Sequence, residues 1–98
     1  MNDNKVIVFN GVVKILNSIL SSKASHRATN INWNADVFSD LGIDSLEALD
    51  LLTGLEEEFD VNPDQYEAND KRTVEQIVTY VIQLVDEKNR FKSKAENE

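Results

Sequence analysis

In the run Leu41-Gly42-Ile43-Asp44-Ser45-Leu46-Glu47 a serine hydroxyl stands between a carboxylate and an apolar residue, where a glycine-containing turn enters a helical pattern. A serine so placed can cap a helix, attack as a nucleophile, or be offered as an oxygen for another enzyme to modify. Capping is already provided for. Asp44 sits where an N-cap belongs, and Glu47 three residues on completes a capping box. Ser45 then becomes the first helical residue, projecting into solvent near unpaired backbone N–H groups and the positive end of the helix dipole. That setting suits a phosphodiester. By capping logic alone, a plain helix start still outweighs modification.

Other chemistry has little support. A catalytic serine needs a base within reach, and the only histidine, His26, lies in a loop with no second acid or base committed to it. Residues 36–42 lack the alternating oxygen ligands and central glycine of a calcium loop. There is no cysteine, so neither a disulfide framework nor a thiolate metal site is available, and no metal is expected. Glu56-Glu57-Glu58 reads as solvated charge or a weak partner surface.

The elements that must position Ser45 are helical by periodicity. Phe9, Val12, Val13, Leu16, Ile19 and Leu20 recur at three-and-four spacing and predict a first helix over about residues 5–22. Val6-Ile7-Val8-Phe9 would also suit a strand, but no second strand-like run exists to pair with it. Residues 23–42 are polar and aperiodic, a long loop with Ile31, Trp33, Val37, Phe38 and Leu41 as apolar anchors. A second helix spans residues 45–59, a short helical turn 64–69, and a last helix starts near Thr73 with Val74, Ile77, Val78, Val81, Ile82 and Val85 on one face. After Lys88 the apolar content falls, and a frayed, charged tail is expected. The fold class is therefore all-α: a small bundle of three main helices plus a short one, with residues 1–90 as the domain and 91–98 as a flexible tail.

At 98 residues the chain has room for one modest core, so a binding or carrier module is favoured over an enzyme with a deep cleft. Net charge is −8, but twelve carboxylates and no cation fall between residues 36 and 70. Such a field repels nucleic acid and anionic membrane and speeds encounter with basic protein surfaces. No apolar run approaches the roughly 20 residues that span a bilayer, and the start lacks the basic region of a secretory signal. A soluble, cytoplasmic monomer is expected.

Asp40-Leu41-Gly42-Ile43-Asp44-Ser45-Leu46-Glu47, followed by Leu55-Glu56-Glu57-Glu58-Phe59-Asp60-Val61, closely resembles the acyl carrier proteins (ACPs) of fatty acid and polyketide synthesis. The resemblance extends from residues 34–38 to Thr73-Val74 and the last helix. It implies that Ser45 carries a 4′-phosphopantetheine arm, taken from coenzyme A, whose thiol holds acyl groups as thioesters. It further implies docking of basic patches on Asp44, Glu47, Asp50, Glu56 and Glu57, with Leu46 and Leu49 as apolar contacts. The partners so implied are a phosphopantetheinyl transferase (holo-ACP synthase), an acyl-ACP synthetase, and a ketosynthase or acyltransferase. An acyl chain would lie between the helices against Leu52, Leu55, Phe59, Ile77 and Val81. Thr53, Lys71-Arg72 and the loop with His26-Arg27 and Trp33 depart from the usual pattern. An aminoacyl carrier and an unmodified interaction subunit are the alternatives; Asp44 and the acidic run argue against the first.

Overall fold

The apolar stripes of the sequence close on one another in the structure, a computed structural model that describes the backbone of residues 3–21 and 31–96. Four helices follow in order: α1 (Asp3–Ser21), α2 (Ser45–Phe59), α3 (Gln65–Ala68) and α4 (Val74–Glu96). Helix α1 packs against both α2 and α4, and between them lies the core. Val12 and Leu16 of α1, Leu55 of α2, and Val74, Val78 and Val81 of α4 lose nearly all contact with water. Val6-Ile7-Val8-Phe9 is helical, because Val8 can bury into the α4 side only at helical spacing from Val12 and Leu16. Gly11, unfavourable inside a helix by roughly 1 kcal/mol, has a packing reason. A β-carbon there would lie 2.5 Å from the Phe59 ring, so the glycine lets α1 and α2 approach.

The described part of the loop, residues 31–44, is strapped to the start of α4. Val74 N–H donates to the carbonyl of Ala35 (3.0 Å), Glu75 N–H to that of Trp33 (2.9 Å), and Val37 N–H to that of Arg72 (2.8 Å). Among the described residues this is the only strand-like feature, an isolated antiparallel bridge between Asp36 and Thr73. Thr73 also caps α4 as expected: its hydroxyl accepts from Gln76 N–H (3.2 Å) while Gln76 Oε1 accepts from Thr73 N–H (3.1 Å). Trp33 is half-buried and stacks on Phe9, with ring centroids 4.3 Å apart, so it serves as one of the expected anchors. His26 and Arg27 lie outside the described residues.

Helix α4 continues past Lys88 to Glu96. The apolar stripe ends there, yet the segment has no Gly or Pro, is rich in good helix formers, and carries an Asp86–Arg90 ion pair at i,i+4 spacing (2.7 Å). Lys88 itself reaches back to the end of α2. Its ammonium donates to the carbonyl of Asp60 (2.7 Å) and pairs with the carboxylate of the same residue, which caps α2 in the left-handed conformation (φ 54°).

Asp36 holds the loop's shape. One carboxylate oxygen accepts from the amides of Phe38 (2.8 Å) and Ser39 (2.9 Å), and the other from Arg72 Nε (2.9 Å). The Ser39 amide above all, with Arg72 and the Phe38 amide, holds its carboxyl below the ordinary carboxylate range, against an opposing effect of desolvation. A carboxyl whose pKa is lowered by folding stabilises the fold above its unfolded value, about 3.9, and loses that effect as pH falls through the lower folded value. Asp36→Asn is therefore expected to be less stable than wild type near neutrality. In urea titrations the gap between the two proteins should close as pH falls below about 4.

Candidate functional site

The turn that delivers Ser45 is fixed from both sides. Leu41 and Ile43 are buried, and their amides donate to the carbonyls of Asp36 (3.1 Å) and Val37 (2.9 Å). Between them Gly42 donates to Phe38 (3.1 Å) at φ 76°, a backbone region where a β-carbon would be strained. Asp44 then caps α2. Its carboxylate accepts from Glu47 N–H (2.8 Å), while Glu47 Oε1 accepts from Asp44 N–H (3.0 Å), which completes the capping box. Ser45 is exposed, and its hydroxyl bonds to no described residue. The backbone amides of Ser45 and Leu46 are likewise without an acceptor among the described residues. The result is an accessible oxygen at a positive helix end, held on a rigid turn.

One stripe of α2 runs outward from this serine. Leu46, 74% exposed, and Leu49, 43% exposed, lie beside it. Asp50, Thr53, Glu56 and Glu57 continue the stripe at helical spacing, all of them exposed. Thr53 ties its hydroxyl back to the carbonyl of Leu49 (3.1 Å), so it adds no free donor to this surface. Asp44 and Glu47 border it, although Glu47 is committed to the cap. Glu58 lies off the stripe and pairs with Lys14 of α1 (3.2 Å).

Behind Ser45 a cavity of about 150 Å³ opens between α2, α3, α4 and the loop. Leu52, Leu55 and Ile77 line it together with Ser45 and Leu49, so five of the residues singled out from the sequence meet at one space. Two others do not. Phe59 lies against Gly11 and lines a separate groove between α1, α2 and α4, and Val81 is wholly buried in the core. The stripe of a core helix is wide enough that residues one turn apart face different neighbours.

Several wall residues escaped sequence reasoning: Val37 and Phe38 from the loop, Ala48 and Leu51 from α2, and Tyr80 from α4. Tyr80 was findable, three residues beyond Ile77 on the same face. It is buried at 4% exposure, and its hydroxyl accepts from Asp64 N–H (2.9 Å) and donates to Glu67 Oε1 (2.9 Å). Burial lifts the phenol above its ordinary range, so it stays protonated and able to donate. Helix α3 buries no residue of its own, and this hydroxyl links it to α4 as one wall of the cavity. Among the described residues no cluster of His, Asp or Glu could hold a metal, and no helix is long and apolar enough to cross a membrane.

Residues 14–81 match the family model described as a phosphopantetheine attachment site. An acyl carrier protein of Trieres chinensis is 35% identical over 66 residues, covering 67% of this chain and 82% of that protein. One from Clostridium acetobutylicum is 33% identical over 70 residues, 71% of this chain and 91% of the relative. A chloroplastic acyl carrier protein 1 of Hordeum vulgare is 43% identical over 51 residues, 52% of this chain and 34% of the relative.

The division of labour at the turn can be tested by stability alone. Asp44→Ala should cost about 1 kcal/mol and lower the thermal midpoint by about 4–8 °C. Ser45→Ala should stay within about 0.5 kcal/mol of wild type. Urea and thermal melts followed by circular dichroism measure both.

Proposed function

Because the chain belongs to the acyl carrier proteins and so carries acyl groups on phosphopantetheine without being an enzyme itself, we propose that Ser45 is the residue to which the arm is attached. The observation that carries this is the exposed hydroxyl, relieved of capping by Asp44 and set at the edge of a largely apolar cavity. In the attachment Ser45 Oγ replaces an oxygen on a phosphorus of coenzyme A. The serine proton goes to a base of the transferring enzyme, and the nucleotide half departs. This chain supplies only the positioned oxygen and its helix end. Once bound, the arm provides a thiol for thioester chemistry, which accounts for acyl transport by a chain without cysteine.

The outward stripe of α2 is the proposed docking face. Enzymes act on carriers of this family, and the specific ones proposed here are the phosphopantetheinyl transferase, an acyl-ACP synthetase and a ketosynthase or acyltransferase. Asp44, Glu47, Asp50, Glu56 and Glu57 would meet basic patches, and Leu46 and Leu49 would enter an apolar contact at the centre. A cluster of one sign speeds encounter more than it tightens the final complex. Leu52, Leu55 and Ile77 are the proposed acyl-chain wall, and fatty acid, polyketide or specialised lipid synthesis the proposed setting. The carrier domain is assigned to residues 1–90, and its work to the cytoplasm.

Incubation with coenzyme A and a broad-specificity transferase should raise the intact mass of wild type by one phosphopantetheine and leave Ser45→Ala unchanged. Modification of Ser45→Ala would refute the assignment. Asp50→Lys with Glu56→Lys should slow loading, more at low salt than at high. Glu47 is left intact in that variant because it closes the cap. A cavity of about 150 Å³ is the size that holds a six-carbon ring in another protein, so thermal stability of acylated forms should rise with chain length to about six carbons and then level off.

A further inference from the structure

The cavity has walls of two kinds. Helices α2 and α4 and the loop line it with apolar side chains, whereas Gln65, Asn69 and Lys71 line it from α3 and the turn that follows. The side chains of these three make no hydrogen bond or ion pair with any described residue. Lys71 is half-buried with its ammonium over the Tyr80 ring, 5.6 Å from the centroid. It is the first cation after the twelve carboxylates of residues 36–70, yet no carboxylate among the described residues pairs with it. Its neighbour Arg72 is spoken for by Asp36 and the Phe38 ring.

Gln65 and Asn69 are exposed and keep their water, so the group that a saturated chain drawn into this space would desolvate is the half-buried Lys71 ammonium, to which it offers no hydrogen bond in return. Desolvated donors left without a partner are costly, whereas an acceptor oxygen on the chain would replace the lost water. A site that offers a hydrogen bond from such a partly buried donor discriminates against the analogue that cannot use it. The net acidic field of residues 36–70 disfavours an anionic chain, which leaves a neutral oxygen. Resting on the carrier reading above, we propose that this polar wall selects acyl cargo bearing a carbonyl or hydroxyl oxygen within about six carbons of the thioester, over the saturated chain of equal length, with Lys71 as the principal donor.

The test loads Ser45 of the full chain enzymatically with amide-linked hexanoyl or 5-oxohexanoyl phosphopantetheine, verifies each product by intact mass, and compares thermal midpoints. In wild type the oxo form should melt higher than the hexanoyl form, by about 4–8 °C for one well-made hydrogen bond. In Lys71→Met, which keeps the length of the stem and removes the donor, the gap should vanish. Lys71→Gln should restore part of it. Equal midpoints in wild type overturn the inference, as does a gap that survives in Lys71→Met, and both results leave the carrier reading standing. Absence of any mass gain with either cargo overturns both.

Discussion

Val74 and Glu75 open α4 with backbone amides that have no partner inside the helix, and they give them to the carbonyls of Ala35 and Trp33. Every helix start has this shortfall, and most meet it with a side chain or water. Here the loop meets it, so a long aperiodic connection acquires a fixed edge. From that edge the rest follows in order: Val37 is held against Arg72, Asp36 gathers the next turn around its carboxylate, and the buried pair Leu41 and Ile43 aims Asp44 and Ser45 at the head of α2. The position of one reactive oxygen is thus set by a helix that lies elsewhere in the bundle.

A carrier must expose its attachment oxygen and still keep the helix beneath it intact. Two adjacent residues divide those tasks, and the chain's charge follows the same plan. Carboxylates that hold structure, such as Asp36, Asp44 and Asp60, are tied to amides or cations. Those on the outward stripe of α2 are left to solvent. The acidity that sets the net charge is therefore two populations, one free of structural duty and one tied into the fold, with Asp44 and Glu47 at the border between them.

Features that rest on neighbouring residues were legible in the sequence. The capping box at Asp44 and Glu47 is a local pattern of side chains, and the stripes of α1, α2 and α4 are periodic, so the all-α bundle and the place of Ser45 could be read directly. The strap between the loop and α4 could not be. It is made of backbone bonds, which leave no mark on residue type. The cavity was legible in part: Leu52, Leu55 and Ile77 line it, but Phe59 and Val81 share their stripes and turn to other neighbours, a difference only tertiary packing decides. Its polar wall comes from α3 and the turn that follows, and α3 is four residues with no buried member and hence no apolar signal.

The reach of Lys88 back to Asp60 bears on how such a unit travels through evolution and engineering. The last residue of the apolar stripe of α4 is Val85, three positions before this contact. The ammonium that fastens the left-handed end of α2 lies beyond that point. A portable carrier module grafted into a longer, multifunctional polypeptide keeps this tie only where the polar extension runs through Lys88 before the linker to the next module begins.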